Sequence, residues 1–308
     1  MGSLVVIGNF DGVHRGHRAV LKGSAAEAKE RGLALKVLTF VPHPAEALGR
    51  TAPARLTSQP RKRELIHAVA HELDADSDVE IVEQHFDRAY ADQSAAEFAA
   101  RLRADFAAER VVVGKNFRFG KNREGDFDRL VELGLEAGFS ARSETLHGDA
   151  SGPWSSTRIR AAIARGDLAD ARQVLGRPHM LSGSVVHGKH LGRTIGFPTA
   201  NLGGVVEALP SLGVYACAAE LADASGFRRL GAAAVSIGLN PTTDEDGRVK
   251  VEAYVLDFDG DLYEKALRVH LLARLRGEEK FDSLSELVAQ IGRDVEATRH
   301  AFSCDPGS

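Results

Sequence analysis

Two histidines three residues apart follow a short apolar run near the start of the chain. The run at residues 4–7 ends at Gly8, and His14 and His17 come soon after it. If a helix begins here, residues three apart share one of its faces. The helix N-terminus adds free N–H groups and a positive dipole end, which suit phosphate. Two imidazoles in this position could hydrogen-bond a triphosphate and stabilise charge during attack on its α-phosphorus.

A bare His-x-Gly-His string also fits two surface histidines beside a turn. The residues ahead of it favour chemistry, because Phe10, Asp11 and Gly12 form a tight turn after a strand. Parallel sheets bind ligands in the loops that follow their strands. We therefore predict that Gly8, Phe10 and Asp11 contribute to ATP binding.

Oxygen-bearing side chains mark the second half of the chain. Thr199 and Asn201 offer oxygen ligands that suit Mg²⁺ together with ATP phosphates and water. Glu252 lies in a strand-like stretch at residues 249–258, where alternate residues share a face. The predicted neighbours of Glu252 on that face are Tyr254, Leu256 and Phe258. A carboxylate among such apolar and aromatic neighbours is either exposed to solvent at the rim of that face or kept in place for a functional role.

A glycine-rich segment precedes Thr199. Residues 183–190 nearly fit the P-loop pattern, but His190 stands where Ser or Thr should hold magnesium, and no helix is expected next. We therefore reject a P-loop. Glycines still let the backbone approach phosphates closely. Gly183, Gly188 and Lys189 are accordingly predicted to bind ATP.

The elements that must position the two histidines are predicted strands that alternate with predicted helices. Short apolar runs are predicted strands at residues 4–7, 35–40, 79–82 and 111–113. A helix is predicted from residue 17 to about residue 31. Ser94 begins a capping box that opens another helix, to about Phe106. Short strands separated by helices predict a Rossmann-like parallel sheet, covered by helices, of the α/β class.

From residue 181 the pattern changes to strands without intervening helices. They are predicted at residues 181–187, 214–221, 232–237, 249–258 and 267–272. Such strands, separated by turns, predict a small antiparallel β-barrel. Ser283 opens a capping box and a terminal helix to about Phe302. Helical stretches at 156–165 and 168–175 end in a Gly-Arg-Pro break, so we predict domains 1–177 and 178–308.

Composition narrows the class of protein. The 308 residues suffice for two hydrophobic cores, and 44% hydrophobic with 27% charged residues is typical of soluble globular proteins. The net charge of −4 gives no bulk attraction to nucleic acid or anionic membrane, so neither is a predicted partner. Cys217 and Cys304 form no metal-binding spacing and no disulfide framework, which favours a reducing, cytoplasmic location.

The segment from Gly8 to His17 resembles the HxGH nucleotidylyltransferase superfamily. The complete sequence of this segment is similar to the adenylyltransferase half of the bacterial bifunctional riboflavin kinase/FAD synthetase family. Residues 113–120 resemble the second loop of that family, which implies that Asn116 contacts the nucleotide or the transferred phosphate. On the residues alone, a turn with a basic rim fits Asn116 equally well.

Residues 155–160 match the closing motif of the superfamily. Hydroxyl groups at a helix start can cap the helix or bind phosphate, and an arginine can neutralise phosphate charge. An ordinary N-cap is the alternative for this segment standing alone. The resemblance implies ATP binding for Ser155, Ser156, Thr157 and Arg160.

Residues 183–201 closely resemble the riboflavin kinase signature of the same family. The resemblance implies that Thr199 and Asn201 hold Mg²⁺. The glutamate of riboflavin kinases that matches Glu252 is the base that takes a proton from the ribityl 5′-hydroxyl. A further match at residues 275–281 implies that Arg276 and Phe281 bind the flavin, with Arg276 near the flavin or the nucleotide, although solvated charges fit this segment equally well.

The resemblance extends from residue 4 to about residue 299, and it implies a bifunctional enzyme. One half phosphorylates riboflavin to FMN, and the other transfers AMP from ATP onto FMN to give FAD and pyrophosphate. The implied cofactor is Mg²⁺, with ATP as co-substrate. Riboflavin, FMN, FAD and ATP are the implied ligands, and self-association is compatible with the sequence.

One departure from the family pattern concerns the closing motif. The family carries a basic residue two positions before the Ser-Ser-Thr run and an aliphatic residue next to it, where this chain has Pro153 and Trp154. Another arginine, such as Arg158, is a candidate replacement. Three alternatives remain: an enzyme with only the kinase step, a flavin-binding or regulatory protein that kept the fold and lost the chemistry, and an adenylyltransferase with another acceptor.

Overall fold

A computed structural model of the protein describes residues 1–72, 79–145, 147–188, 192, 195–239 and 249–305. The chain divides into two compact units. The first unit consists of Met1–Pro53 and Gln59–Ser155, and the second of Ala54–Ser58 and Ser156–Ser308. The domain boundary near residue 177 stays a prediction.

The first unit is built on a five-stranded parallel sheet, as predicted. Its strands are β1 (Ser3–Ile7), β2 (Ala34–Val41), β3 (Val79–His85), β4 (Ala108–Gly114) and β5 (Ser140–Glu144). They lie in the order β3-β2-β1-β4-β5. The strand β5 was not predicted because Ser-Ala-Arg-Ser-Glu has no apolar run. A short hairpin follows it, formed by β6 (Gly148–Asp149) and β7 (Gly152–Pro153).

Helices cover both faces of this sheet. They are α1 (Arg15–Arg31), α2 (Pro44–Ala47), α3 (Gln59–His71), α4 (Arg88–Ala91), α5 (Ala95–Phe106) and α6 (Phe127–Ala137), with a 3-10 turn at Lys121–Arg123. Alternate residues of β1 enter different cores: Leu4 and Val6 pack with α1 and α3, while Val5 and Ile7 pack with α5 and α6. The central strand is therefore apolar throughout, as buried parallel strands are.

The capping box at Ser94 is confirmed. The backbone N–H of Glu97 donates to Oγ of Ser94 over 3.2 Å, and the backbone N–H of Ser94 donates to Oε2 of Glu97 over 2.7 Å. The predicted start of α1 at residue 17 is two residues late. His14 is the N-cap, so the helix begins at Arg15.

The second unit is a closed antiparallel barrel with helices beside it. The helices α7 (Ser156–Arg165) and α8 (Leu168–Leu175) precede six strands. These are β8 (His179–Val186), β9 (Ala200–Gly203), β10 (Gly213–Asp223), β11 (Gly226–Leu239), β12 (Val249–Val255) and β13 (Ala266–Arg276). Their order is β10-β11-β12-β9-β8-β13, and helix α9 (Leu284–Ser303) follows. The short β9, which the sequence pattern did not predict, closes the barrel.

Period-2 alternation in β12 separates the barrel interior from its outer face. Val251, Ala253 and Val255 are buried in the core, and the residues between them point outward. The predicted continuation of the Glu252 face to Leu256 and Phe258 is wrong. The strand ends at Val255, Leu256 is buried, and Asp257 turns the chain with a φ of 55°.

Two further observations concern the cysteines and the hydropathy of the helices. Cys217 is fully buried in the barrel, where burial raises the pKa of its thiol, while Cys304 is exposed. No helix within the described parts of the chain is long and apolar enough to cross a membrane.

A partly buried charge cluster ties α1 to the sheet of the first unit. Glu27 of α1 accepts hydrogen bonds from Nε of Arg110 at 2.8 Å and from Nε of Arg142 at 2.9 Å. Partial burial alone would raise the pKa of Glu27, but the hydrogen bonds from Arg142 and Arg110 outweigh it and lower the pKa. The ionised carboxylate therefore stabilises the fold.

We expect Glu27→Gln to lower the free energy of unfolding at pH 7 by about 1–2 kcal/mol. Because the pKa of Glu27 is lower in the folded state, this contribution is present at neutral pH and is lost as the pH falls through the folded pKa. Urea unfolding of wild type and variant at several pH values measures it. Glu64→Gln is the control, since Glu64 pairs with Arg61 on the surface and should change stability little. A Glu27→Gln effect that does not shrink in acid would contradict this interpretation.

Candidate active sites

A pocket of about 410 Å³ lies on the outer face of the barrel, within the size range of small-molecule sites. The floor is formed by outward-facing residues of β11 and β12: Ala234, Ser236, Gly238, Lys250, Glu252 and Tyr254. Helix α9 contributes Leu287, Ile291 and Asp294. Four predicted site residues line this pocket: Thr199, Glu252, Arg276 and Phe281.

The register of β12 brings the predicted base beside a predicted metal ligand. Glu252 is the cross-strand neighbour of Asn201 on β9 and of Ser236 on β11. Directly opposite residues in antiparallel strands have Cβ atoms about 4.5–5.5 Å apart. Glu252 is partly buried, so its carboxylate is shielded but reachable from the pocket.

Glycines bring backbone close to the predicted magnesium ligands. A side chain on Gly192 would begin 2.3 Å from the carbonyl oxygen of Phe197 and 3.3 Å from Oγ1 of Thr199. A side chain on Gly188 would begin 2.3 Å from Nδ2, the side-chain amide nitrogen of Asn201. Gly188 and Gly192 therefore lie close to the segment that carries Thr199 and Asn201, and a side chain at either glycine would displace a neighbour. Neutral oxygens of this kind fit a magnesium ion that takes its other ligands from phosphates and water.

Gly183 and Lys189 are the other residues of this half that were predicted to bind ATP. Gly183 lies in β8, where a side chain would begin 2.5 Å from the carbonyl oxygen of Gly203. Gly183 therefore permits the close pairing of β8 with β9. Lys189 lies outside the described residues.

Aromatic and charged groups complete the pocket wall. The rings of Phe197 and Tyr254 meet edge to face with centroids 5.5 Å apart. The guanidinium of Arg276 lies over the ring of Phe281, 5.7 Å from its centroid. Planar apolar walls of this kind suit a planar ring system. Tyr254 lies on the same strand face as Glu252, as period-2 alternation predicted, whereas Ser236 was not singled out from the sequence.

In the first unit, β1 and β4 are adjacent strands whose connections leave in opposite directions across the sheet. Parallel sheets bind ligands at such a switch point, beyond the carboxyl ends of the strands. The loop after β1 carries His14 and His17, and the loop after β4 carries Asn116. The fold therefore brings all three predicted residues to one edge of the sheet.

His14 and His17 are stacked on each other at the start of α1. Their ring centroids are 3.6 Å apart, and Nδ1 of His14 accepts a hydrogen bond from the backbone N–H of His17 over 3.3 Å. Because Nδ1 of His14 accepts this hydrogen bond as the helix cap, the proton of a neutral His14 ring is carried by Nε2. His14 is buried and His17 is partly buried.

The turn before the histidines is anchored by apolar burial. Phe10 and Val13 are buried and have positive φ angles of 48° and 38°. The ring of Phe10 packs edge-on against His17 with centroids 5.2 Å apart, and a side chain on Gly8 would begin 3.2 Å from it. Phe10 thus supports His17 from the core. Asp11 is partly exposed at the turn.

The other predicted residues of the adenylyltransferase half lie in different settings. Asn116 is exposed in a turn closed by a 2.9 Å hydrogen bond from Phe117 N–H to the Gly114 carbonyl. Ser155 ends the first unit. Ser156, Thr157 and Arg160 belong to the first turns of α7 in the second unit, where Nε of Arg160 donates to the carbonyl of Ala54 over 2.6 Å.

The Pro153–Trp154 departure has a structural counterpart at α1. The indole N–H of Trp154 donates to Oδ2 of Asp149 over 2.9 Å, and the guanidinium of Arg15 lies 5.2 Å from the indole centroid. The Trp154 carbonyl oxygen lies 3.5 Å from where a side chain on Gly16 would begin. Arg158, the candidate replacement cation, is instead held by Asp170 at 2.5 Å. The cation that lies beside the Trp154 ring is therefore Arg15.

Comparison with known proteins identifies both units. The FAD synthetase family model matches residues 1–158, and the riboflavin kinase model matches residues 175–302. The bifunctional riboflavin kinase/FMN adenylyltransferase of Escherichia coli strain K12 is 41% identical over 307 residues, which cover 98% of this chain and 93% of that protein. The enzyme of the same name from Bacillus subtilis strain 168 is 32% identical over 98% of this chain and 93% of its own length.

Solved structures agree on the fold. A Streptococcus pneumoniae protein described as a macrolide-efflux protein has a TM-score of 0.81 and 30% identity, covering 97% of this chain and 94% of that one. The description concerns the pneumococcal protein, whereas both enzyme family models match the present sequence. The chain therefore belongs to the bifunctional riboflavin kinase/FMN adenylyltransferase family and carries the FAD synthetase and riboflavin kinase domains of that family.

Proposed function

We propose that the protein converts riboflavin to FMN at the barrel pocket and FMN to FAD at the edge of the parallel sheet, with ATP as co-substrate of both steps. The observation that carries this proposal is the convergence of Glu252, Thr199 and Arg276 on one pocket beside a matched riboflavin kinase signature. The FAD synthetase match and the paired histidines support the second step.

In the kinase step, Glu252 acts as the general base. The ribityl 5′-hydroxyl oxygen attacks the γ-phosphorus of ATP, its proton passes to Glu252, and ADP leaves. A carboxylate, a metal ion and correct positioning supply most of what phosphoryl transfer needs. Thr199 and Asn201 would hold Mg²⁺, which when bound neutralises phosphate charge.

In the adenylylation step, the FMN phosphate oxygen attacks the α-phosphorus of ATP and pyrophosphate leaves. No covalent enzyme intermediate is required. His14 and His17 donate hydrogen bonds to the phosphates at the N-terminus of α1, where the helix dipole also favours negative charge. Asn116, Ser155, Ser156, Thr157 and Arg160 are proposed to hold the nucleotide, and Arg15 on Trp154 supplies positive charge beside α1.

The cellular setting is also a proposal. Free Cys217 and Cys304 suit a reducing cytoplasm. Self-association stays a prediction, and sedimentation equilibrium of the purified protein would test it.

The direct test is a chromatographic time course of purified protein with riboflavin, ATP and Mg²⁺. We expect FMN to appear first and then to give way to FAD. FMN that accumulates without FAD would leave an enzyme with only the kinase step. Bound flavin without any conversion would favour a flavin-binding protein.

Glu252→Gln keeps the side-chain volume but removes the base. We expect FMN formation from riboflavin to fall by about 100-fold to 10,000-fold, while FAD formation from added FMN is unchanged. Glu296→Gln, at an exposed carboxylate of α9 that does not line the pocket, controls for loss of a negative charge. Equal loss of both activities in folded Glu252→Gln protein would contradict separate sites.

His17→Ala should have the opposite effect. FAD formation from FMN is expected to fall by about 100-fold to 1,000-fold, because a donor to the charged transition state is removed, and FMN should accumulate from riboflavin. His67→Ala on the exposed side of α3 is the matched control. Undiminished FAD output from His17→Ala would exclude His17 from the mechanism.

Trp154→Ile restores the residue class that is usual in the family but removes the support for Arg15. We expect a higher KM for ATP in FAD formation, by about two- to fivefold, because a cation–π contact of this kind contributes about 0.5–1 kcal/mol. Arg15→Ala should have a similar effect, and the double variant should be little worse than either single one. Additive effects of the two substitutions would show that the two residues act independently.

A further inference from the structure

A buried ion pair lies in the wall of the kinase pocket. Nε and Nη2 of Arg276, at the end of β13, donate to the carboxylate of Asp294 on α9 over 2.8–3.1 Å. The side chain of Asp294 is 7% exposed and that of Arg276 is 16% exposed. Nε2 of Gln290 donates to Oδ1 of Asp294 over 2.8 Å. The carboxylate is therefore held from two sides.

The pair also fixes which parts of Arg276 face a ligand. Nη1 of Arg276 donates to the carbonyl of Gly277 over 3.1 Å, so three of its five N–H groups have protein partners. Its positive charge is balanced by Asp294. What remains for a ligand is the flat face of the guanidinium and two N–H groups, set beside the ring of Phe281.

Such a group suits a planar heteroaromatic ring better than a triphosphate. A neutralised guanidinium attracts phosphate weakly, whereas its flat surface stacks on aromatic systems and its N–H groups can bond ring carbonyl oxygens. Burying two charges costs free energy unless they are paired with good geometry. The pair of Arg276 and Asp294 therefore calls for a functional explanation.

We propose that Asp294 is a positioning residue for the riboflavin ring. It holds Arg276 against the pocket wall with Phe281, so that the isoalloxazine binds there and riboflavin affinity depends on Asp294 while ATP affinity does not. Gln290 supports the carboxylate. The inference rests on the proposed kinase function of the barrel unit and adds a residue that does not itself touch the flavin.

The test measures KM for riboflavin and for ATP in the kinase reaction of full-length Asp294→Ala and Asp294→Glu variants. We expect Asp294→Ala to raise KM for riboflavin roughly tenfold and to change KM for ATP by less than about twofold. Asp294→Glu should recover part of the loss because it keeps the carboxylate. Quenching of riboflavin fluorescence without ATP should show the same weakening of the dissociation constant.

The matched control is Asp305→Asn. Asp305 also has a buried carboxylate, 6% exposed, that pairs with Arg172 at 2.5 Å, but it does not line the pocket. This variant should leave both KM values unchanged. If Asp294→Ala is unstable, Asp294→Asn, which keeps the side-chain shape, gives the same comparison. FAD formation from added FMN reports whether each variant is folded in its first unit.

Three results would overturn the proposal: a rise in KM for ATP with riboflavin unaffected, the same loss in Asp305→Asn, or unchanged riboflavin binding in Asp294→Ala. Failure of the proposed function would differ, because the wild-type protein would then produce no FMN from riboflavin and ATP.

Discussion

The pairing of β9 with β12 is the interaction on which the kinase half depends. It consists of two residue pairs, Glu252 with Asn201 and Ala253 with Ala200. The same short ladder closes the barrel and sets the proposed base beside a proposed metal ligand. Because side chains alternate along a strand, a slip by one residue would turn Glu252 into the apolar interior and Ala253 out of it. Burial of Val251, Ala253 and Val255 therefore fixes the position of the carboxylate.

A barrel exterior becomes a site only when something covers it. Helix α9 follows the last strand and sets Leu287, Ile291 and Asp294 against the outer face of β11 and β12. Packing of α9 turns this outer surface into a pocket in which the proposed base, Glu252, is partly buried. It also brings an acidic residue to Arg276, which would otherwise be one more exposed cation at a strand end. The site therefore depends both on closure of the barrel and on packing of the helix against it.

The first unit reaches a comparable result with a different constraint. Every residue of β1 is buried, and its alternate side chains enter cores on both faces of the sheet. The turn that follows is anchored by Phe10 and Val13, which are buried despite their positive φ angles. Apolar packing thereby sets the start of α1 and with it the stacked histidines. Buried anchors of this kind suit a position where the proposed chemistry needs fixed hydrogen-bond donors.

Much of this organisation could be predicted from the sequence. The apolar runs indicated four of the five parallel strands, the capping boxes located the starts of α5 and α9, and the two glycine-rich segments identified the candidate sites. Periodicity failed where little local signal exists. Polar β5 and four-residue β9 are strands because neighbouring strands offer them hydrogen bonds, and β12 ends at Val255 because the chain must turn there.

What the sequence determined by itself was the chemistry, since the residue types and spacing of His14, His17, Thr199, Asn201 and Glu252 are local properties. Only the tertiary structure decided which groups share a pocket. The partnership of Arg276 with Asp294 and that of Arg15 with Trp154 join residues far apart in the chain. No local pattern encodes such contacts, because they arise when separate elements bury their apolar faces against one another.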